Sequence, residues 1–310
     1  MTAVMIMAGG TGGHVFPALA VAEVLRQRGS DIAWMGTERG IESRLVPEAG
    51  YPLHFISVAG LRGNGLAGWL MAPFRLVKAV AEAITVLRQF KPDVVMGLGG
   101  FASGPGGVAA WLLRKPVVIH EQNAIPGLTN TLLAKLAKHV LQGFPNSFDS
   151  NKAQWVGNPV RASIAALAEP TPNISSNINI LVLGGSLGAK ALNAVLPEAL
   201  SQLEIDKTIQ VRHQCGQKNI IQCQQAYQQH NVTAEISAFI DDMAAAYEWA
   251  DIVVCRAGAL TVAEVASAGV AAIFIPFPYA VDDHQTHNAM SLVNIGGGQL
   301  IQEADLTASD

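Results

Sequence analysis

The sequence has few charged residues and few cysteines, and each scarcity argues against a class of protein. Charged side chains make up 14% of the 310 residues, and the formal net charge is −4. A protein whose main partner is nucleic acid needs a basic face for the phosphates, so this balance argues against that function. The three cysteines, Cys215, Cys223 and Cys255, form no CxxC motif. We therefore expect no disulfide framework, no structural zinc site and a reducing compartment.

Long apolar runs, a signal peptide and the common phosphate-binding motif are also missing. No segment approaches the roughly 18 uninterrupted apolar residues of a membrane-spanning helix. The apolar residues 1–8 have no basic segment before them and lead directly into glycines and His14, unlike a secretory signal peptide. No GxxxxGK[ST] loop occurs, and neither acidic pair, 241–242 or 282–283, forms an Asp-x-Asp metal clamp. We expect a cytoplasmic protein without a metal.

What the sequence does contain is a regular alternation of short β-branched segments and longer helical patterns. Strands are predicted at residues 3–8, 31–36, 93–98, 116–120, 139–142, 178–183, 208–213, 251–255 and 271–275. Helices are predicted at residues 16–28, 38–49, 73–90, 104–113, 128–137, 189–203, 217–228, 260–268 and 283–294. Continuous apolar strands separated by helices are typical of parallel sheets in the α/β class.

The chain divides into two halves of similar design. Prolines, serines and asparagines cluster within residues 158–179, as in a linker, and each half begins with an apolar strand, a glycine cluster and a helix. We predict an N-terminal domain at 1–158, a linker at 159–177 and a C-terminal domain at 178–310. Two Rossmann-like parallel-sheet domains that face each other across a cleft are the simplest arrangement.

Each half carries a glycine loop between its first strand and its first helix. The loops are GGTGG at residues 9–13 and GGSLG at residues 184–188. Glycines at such a junction let backbone N–H groups approach a phosphate near the positive end of the helix dipole. The first loop does not have GxGxxG spacing, and a tight turn with positive φ is the other interpretation. Two such loops favour an anionic ligand at the carboxyl ends of both sheets.

Polar side chains at the ends of predicted strands are the candidate catalytic residues. His14 closes the first loop, where a histidine suits proton transfer, although a lone histidine is more often structural. His120, Glu121, Gln122 and Asn123 follow a buried strand. Such groups need hydrogen bonds or a ligand when they leave an apolar strand. We favour ligand contact for this group.

Four further positions have both a structural and a functional interpretation. Arg161, at the predicted domain junction, suits either a surface ion pair or a diphosphate. Glu264, near the start of a helix, either complements the helix dipole or binds ribose hydroxyls. Asp242 and Asp283 fit the capping of the helices that follow them. We prefer capping for Asp242.

Eight motifs follow one another along nearly the whole chain. They are GGTGGHVFPALA at 9–20, GLGGFASGPGG at 97–107, HEQN at 120–123, VGNPVR at 156–161, LGGSLGA at 183–189, FIDDMAAAY at 239–247, CRAGALTVAE at 255–264 and PFPYAVDDHQTHNA at 276–289. Together they resemble the bacterial lipid I N-acetylglucosaminyltransferase family. The resemblance implies a GT-B fold and an inverting transfer of GlcNAc from UDP-GlcNAc to the MurNAc 4-hydroxyl of undecaprenyl-linked lipid I, which gives lipid II. A UDP-GlcNAc 2-epimerase, a glycosyltransferase with a soluble acceptor and a two-lobed solute-binding protein are the alternatives.

The resemblance also implies roles for individual residues. His14 is the candidate general base, with Glu121 as a rival or a supporting residue. The implied substrate-binding positions are Thr11, Gly12, Gly13, Asn123, Arg161, Ser186, Ile240, Ala259, Leu260, Thr261, Val262, Ala263, Glu264 and Gln285. Among them, Arg161 and Ser186 are expected to hold the diphosphate and Glu264 the ribose. No metal or cofactor is implied, because UDP-GlcNAc is a substrate.

The resemblance implies two more substrate contacts, and the sequence differs from the family pattern at two places. Ile240 is implied to present its backbone to uracil, and Gln285 to contact the donor sugar. Leu187 stands where the family usually has glutamine, so a side-chain contact from that position is not expected. The family normally continues beyond Asp310 with further helices, so we expect this chain to be truncated.

A basic and aromatic segment predicts where the protein meets a membrane. Trp69 and Phe74 interleave with Arg75 and Lys78 in a chain that is net negative overall. An amphipathic core helix with a solvated basic face is the alternative. Because an undecaprenyl acceptor stays in the bilayer, we expect peripheral binding to anionic lipid on the cytoplasmic face of the inner membrane. The expected partners are UDP-GlcNAc, lipid I and other cell-wall synthesis proteins, and no nucleic acid.

Overall fold

In a computed structural model, the chain forms two compact units, Met1–Pro159 and Val160–Asp310. The structure describes residues 1–58, 65–168, 177–185 and 188–309, with residues 65–70 and Val281 described by their backbone alone. Within these ranges, every helix is too short or too polar to span a bilayer. Each unit is an α/β domain built on one parallel sheet.

The first domain is built on a seven-stranded sheet in which all neighbouring strands are parallel. Its strands are β1 (Ala3–Met7), β2 (Asp31–Gly36), β3 (Leu53–Phe55), β4 (Val94–Gly97), β5 (Val117–Glu121), β6 (His139–Gln142) and β7 (Ala153–Trp155). Its helices are α1 (Gly12–Gln27), α2 (Glu42–Glu48), α3 (Gly65–Phe90), α4 (Ser103–Leu112) and α5 (Leu128–Ala134). The order across the sheet is β3-β2-β1-β4-β5-β6-β7. The strand order therefore reverses between β1 and β4, where ligands bind in sheets of this kind.

The central strands of this sheet are buried on both faces. Met5 and Met7 face one hydrophobic cluster, which α3, α4 and α5 cover. Val4 and Ile6 face the opposite cluster, which α1 and α2 cover. Because side chains alternate along a strand, a strand between two apolar layers reads as a continuous apolar run. This explains why the sequence signals these strands strongly.

The second domain has a six-stranded parallel sheet of order β10-β9-β8-β11-β12-β13. Its strands are β8 (Asn177–Leu183), β9 (Thr208–Gln214), β10 (Glu235–Ser237), β11 (Ile252–Cys255), β12 (Ala271–Phe274) and β13 (Gly298–Leu300). Its helices are α6 (Ala162–Ala165), α7 (Lys190–Ser201), α8 (Ile220–Gln229), α9 (Met243–Trp249), α10 (Ala259–Ala268) and α11 (His284–Val293). This strand order is that of dinucleotide-binding folds, with the reversal between β8 and β11.

The predicted α/β class with Rossmann-like parallel sheets is confirmed, but the sheets are wider than the pattern indicates. The four edge strands, β3, β7, β10 and β13, are each three residues long and partly exposed. Three residues carry too little alternation to be recognised as a strand in the sequence. The short helices α6 and α9 were missed for the same reason of length.

Two predicted segment boundaries differ from the structure. Helix α3 begins at Gly65, so Pro73 lies inside it rather than at its first position. An internal proline costs a helix one backbone hydrogen bond and often ends it, but α3 continues through Pro73 to Phe90. The predicted linker covers residues 159–177, but four of these residues, Ala162–Ala165, form helix α6. This helix packs against α9 and α10 of the second domain. Residues 169–176 of that linker lie outside the described ranges.

The second domain contains a buried histidine, His213, whose two ring nitrogens both have hydrogen-bond partners. His213 on β9 is fully buried; its Nδ1 lies 3.0 Å from the Tyr227 hydroxyl and its Nε2 3.0 Å from Asn193 Oδ1. The Asn193 amide nitrogen donates to the Cys215 carbonyl, so its oxygen faces His213 and Nε2 carries the proton. Burial lowers the pKa of His213 to about 4.

We predict that His213 makes the second domain less stable in acid. Because burial lowers its pKa from the ordinary 6.5 to about 4, the unfolded chain binds the proton first as the pH falls. The contribution of neutral His213 to the free energy of unfolding is fully present above about pH 6.5. It falls by about 3 kcal/mol as the pH is lowered to about 4. Unfolding measured at a series of pH values between these limits checks the slope.

Two substitutions separate His213 from the other titrating groups. His213→Gln keeps a polar side chain but removes the titration, so its stability should depend less on pH than that of the wild type. His230→Gln, at the end of α8, should keep the wild-type slope. Equal slopes for wild type and His213→Gln would show that His213 does not cause the acid sensitivity.

Candidate active site

The first glycine loop has the predicted geometry of a strand, a glycine turn and a helix. Gly10 has a φ of +87°, and Thr11 is extended and precedes the first residue of α1. The Thr11 carbonyl accepts hydrogen bonds from the His14 and Val15 N–H groups at 3.2 Å each. Gly12 and Gly13 therefore form the first turn of the helix, and His14 lies at its third position.

His14 is half-buried and has two neighbours that fix its ring. Its Nδ1 lies 3.3 Å from the Thr11 hydroxyl oxygen. Its ring packs over Gly99, where a Cβ atom would lie 2.6 Å from His14 Cδ2. A residue larger than glycine at position 99 would displace the histidine, and the φ of +101° there also favours glycine.

The loop after β4 packs directly on the loop after β1. A Cβ atom at Gly100 would lie 2.2 Å from the Gly9 carbonyl oxygen, so the two backbones approach more closely than any side chain allows. The buried Ser103 hydroxyl lies 2.9 Å from the Met7 carbonyl and 2.8 Å from the Gly99 carbonyl. The GLGG motif, to which the sequence alone assigned no role, thus packs against the catalytic candidate.

The HEQN segment is tied down by hydrogen bonds within its own domain. His120 is buried, and its Nε2 donates to the Gly157 carbonyl at 3.0 Å, which leaves Nδ1 to accept from Gln122 at 3.2 Å. Burial lowers the pKa of His120, although the bond to Gly157 and the charge of Glu121 oppose the shift. His120 and Gln122 therefore have hydrogen-bond partners within the domain, and ligand contact by this segment stays a prediction.

Glu121 is 2% exposed, and both of its carboxylate oxygens are engaged. Oε1 accepts from the backbone N–H of Asn123 at 3.0 Å and from its side-chain amide at 3.1 Å. Oε2 accepts from the Gly127 N–H at 3.1 Å and from the Asn130 amide at 2.9 Å. Glu121 shapes the turn that leads into α5 and orients Asn123, which is half-buried.

In the second domain, the structure brings Arg161 and Glu264 together. Glu264 lies on the second turn of α10, and its Oε1 accepts from Arg161 Nε at 3.0 Å and Nη2 at 2.8 Å. The buried Tyr247 hydroxyl donates to Glu264 Oε2 at 3.2 Å. Arg161 and Glu264 are 103 residues apart in sequence. Helix α10, on which Glu264 lies, begins after Gly258 without a side-chain cap.

Two of the remaining second-domain candidates, Ile240 and Gln285, take part in hydrogen bonds with loop backbone. The Ile240 N–H donates to Gln214 Oε1 at 3.0 Å, and Gln285 Oε1 accepts from the Phe277 N–H at 2.9 Å. Both side-chain amides therefore hold loop backbone in place. Ser186 lies outside the described residues. Gln214 and Tyr247 are the site residues that sequence reasoning missed; Tyr247 ends the FIDDMAAAY motif, whereas nothing in the sequence marks Gln214.

The two capping predictions have different outcomes. Asp242 caps α9, because its side chain accepts from the Ala245 N–H at 3.0 Å, which confirms our preference. Asp283 precedes α11 with a positive φ of 49° and makes no such cap; its side chain instead accepts from the Thr286 hydroxyl at 2.7 Å. In the described part of the chain, no three His, Cys, Asp or Glu side chains are placed to bind a metal together.

Comparison with known proteins places the chain in a class. It matches the glycosyltransferase family 28 N-terminal domain over residues 4–142 and the family 28 C-terminal domain over residues 179–310. The crystal structure of Acinetobacter baumannii MurG is similar, with a TM-score of 0.86 and 45% identity over 99% of this chain and 87% of that chain. The chain is a family 28 glycosyltransferase, and the predicted GT-B fold is confirmed.

Curated relatives narrow the class to one family. A protein of Chromohalobacter salexigens is 56% identical over 98% of this chain and 85% of its own length. A protein of Nitrosococcus oceani is 54% identical over 99% of this chain and 86% of its own length. Both are named UDP-N-acetylglucosamine–N-acetylmuramyl-(pentapeptide) pyrophosphoryl-undecaprenol N-acetylglucosamine transferase. The chain belongs to this family, the MurG transferases, as its motifs predict.

Proposed function

We propose that this enzyme transfers GlcNAc from UDP-GlcNAc to the 4-hydroxyl of the MurNAc unit of lipid I, forming lipid II for peptidoglycan. The observation that carries the proposal is the 56% identity to a transferase of that name over 98% of the chain. The geometry supports it in each domain separately. The first domain offers a histidine beside a glycine loop, and the second offers a helix N-terminus beside an Arg–Glu–Tyr cluster.

The second domain binds the donor. The N–H groups of Ala259, Leu260 and Thr261 lie in the first turn of α10, where a helix has no internal acceptors for them, so they suit a diphosphate. Val262 and Ala263 follow directly in α10, where the Val262 N–H already donates to the Gly258 carbonyl. Arg161 and the α10 dipole supply the positive potential that stabilises UDP as it leaves, and Ser186 is the further diphosphate contact that the family resemblance implies.

Glu264 binds the ribose while it remains paired with Arg161. A carboxylate has about four acceptor positions, of which Arg161 and Tyr247 occupy three through their hydrogen bonds. The remaining capacity serves a ribose hydroxyl. Uracil lies against the Ile240 backbone, where Gln214 already holds the N–H, and Gln285 reaches the donor sugar through its amide nitrogen.

The first domain supplies the base for an inverting displacement. The 4-hydroxyl oxygen attacks C1 of GlcNAc, the bond from C1 to the UDP oxygen breaks, and the hydroxyl proton passes to His14 Nε2. Nε2 is the proton-accepting nitrogen of the ring when Nδ1 carries the proton and donates to the Thr11 hydroxyl oxygen 3.3 Å away. Gly12 and Gly13 allow the substrates to approach the backbone, and Asn123 contacts the GlcNAc.

Glu121 supports this arrangement rather than acting as the base. Its two oxygens already accept four hydrogen bonds from Asn123, Gly127 and Asn130. The residue is also only 2% exposed, so a substrate hydroxyl has little access to these oxygens. Its contribution is to hold Asn123 in place.

The function is tested by the requirement for a lipid acceptor. With UDP-GlcNAc and a lipid I analogue, we expect release of UDP and formation of a disaccharide product in equal amounts, measured by mass spectrometry. Without the acceptor, neither product should form. Epimerisation of UDP-GlcNAc alone would identify a 2-epimerase, and transfer only to a soluble sugar would identify a different acceptor class; either result contradicts the proposal.

We predict that His14→Ala lowers kcat far more than it weakens UDP-GlcNAc binding. A general base contributes roughly 10²–10⁴-fold in rate, whereas the donor is bound by the second domain. Steady-state kinetics and calorimetry with UDP-GlcNAc measure the two effects. His54→Ala, on the edge strand β3, is a control that should leave kcat unchanged. Near-normal turnover of His14→Ala would move the role to Glu121.

The N-terminal half of α3 supports peripheral membrane binding. Phe74 and Val77 are 71% and 69% exposed, and Met71 is also exposed. These three residues recur at a spacing of three along one side of the helix, with Arg75 and Lys78 exposed beside them. The C-terminal half of α3 buries side chains such as Ala83 and Leu87 in the core. The alternative of an amphipathic core helix therefore describes only that half. The Trp69 side chain lies outside the described residues.

We predict that this exposed patch binds vesicles containing anionic lipid on the cytoplasmic side of the membrane. Shallow insertion of the apolar side chains combines with about 1 kcal/mol from each basic residue, so binding should weaken with added salt. Phe74→Ser with Val77→Ser should weaken co-sedimentation by about tenfold or more. Ile221→Ser in the second domain, also 71% exposed, is the matched control. Undiminished binding of the double variant would exclude this surface.

A further inference from the structure

A buried carboxylate lies beneath the first glycine loop. Glu42, the first residue of α2, is 0% exposed. Its Oε2 accepts from the Gly10 N–H at 2.9 Å, and its Oε1 accepts from the Thr37 N–H at 2.9 Å and the Thr37 hydroxyl at 2.7 Å. Among the ion pairs of the described residues, none involves Glu42. Backbone and hydroxyl dipoles alone therefore balance the charge.

Three glycines from separate segments leave the space that Glu42 fills. A Cβ atom at Gly9 would lie 2.4 Å from Oε1, one at Gly36 would lie 2.7 Å from Cγ, and one at Gly40 would lie 1.9 Å from Oε2. Any larger residue at these positions would push the carboxylate out of place. The loop after β1, the end of β2 and the loop before α2 are thus all shaped around one side chain.

The Glu42 carboxylate accepts hydrogen bonds from loop backbone, which an apolar side chain in its place could not do. Burying a charge is costly unless hydrogen bonds compensate for it, and Val46 on the same helix shows that α2 also packs through apolar contacts. The bond from the Gly10 N–H to Oε2 turns that N–H inward at a residue with a φ of +87°. Gly100 packs against the backbone of Gly9 from one side, and Glu42 fixes the next peptide of the loop by a hydrogen bond that an apolar side chain could not accept.

We propose that Glu42 is a positioning residue for the transfer reaction. By holding the Gly10 N–H, it sets the path of the chain into Thr11 and the first turn of α1, and so the orientation of His14. The proposal rests on the function proposed above, because the loop and not Glu42 meets the substrate. Residues that lock a catalytic loop from behind contribute to rate through geometry, and a displacement of about 1 Å can cost about 10²-fold.

Glu42→Gln is the sharpest variant, because it keeps the size and shape of the side chain. In the wild type, Gly10 donates to one carboxylate oxygen and Thr37 to the other. A carboxamide has only one acceptor oxygen, so in Glu42→Gln either Gly10 or Thr37 must face the NH₂ group instead. We expect kcat for transfer to fall by about tenfold to a hundredfold. The KM for UDP-GlcNAc and the Kd for UDP, which depend on the second domain, should stay within about twofold of the wild-type values.

A second variant displaces the carboxylate without removing it. In Gly40→Ala the new methyl group occupies the position of Oε2, so we expect the same loss of kcat with the same unchanged UDP affinity. Val46→Ala is the control: it weakens the packing of the same helix but leaves all three hydrogen bonds of Glu42 intact. Compared at a temperature where every variant is folded, Val46→Ala should keep its kcat.

A spectroscopic measurement keeps this test separate from the test of the function. The Gly10 amide proton, bonded to a carboxylate, should change its chemical shift and exchange faster in Glu42→Gln and Gly40→Ala but not in Val46→Ala. This readout needs no substrate, so it stands even if the lipid acceptor is wrong. An unchanged Gly10 amide, or a changed amide with unchanged kcat, would overturn the positioning role. An equal loss of kcat in Val46→Ala would reduce Glu42 to a stabiliser of the helix.

Discussion

The close approach of two backbones at the carboxyl ends of β1 and β4 is the contact on which the first domain's site depends. Gly9 and Gly100 touch where no side chain fits, and Gly99 gives the His14 ring its support. A strand reversal brings these loops together, because β1 and β4 are neighbours in the sheet although about 90 residues separate them. The glycines are thus required by packing as well as by any ligand.

The two domains use the same fold with different electrostatics. In the first domain, the buried acids Glu42 and Glu121 accept hydrogen bonds only from neutral donors and shape loops. In the second domain, Glu264 pairs with the guanidinium of Arg161 and lies beside an uncapped helix N-terminus. In the proposed function, neutral surroundings suit the site that places the proton acceptor, whereas a cationic side chain at a helix end suits the site for the diphosphate.

The sequence predicted the parts of this protein that depend on local pattern. The central strands are apolar on both faces, and the glycine loops stand where strand and helix patterns meet, so both were recognisable. The pairing of Arg161 with Glu264 was not, because 103 residues separate them and either residue alone fits a surface ion pair. Glu42 was missed for a related reason: a glutamate at the start of a short helix is typical of an exposed position.

The edge strands have a consequence for the behaviour of the protein at high concentration. An exposed sheet edge offers unpaired backbone groups to other chains and can seed aggregation. In the described part of the chain, the edge strands β3, β7, β10 and β13 are each only three residues long. Very short edge strands are one way in which natural sheets limit pairing with neighbouring chains, so we expect little edge-to-edge association even at high concentration.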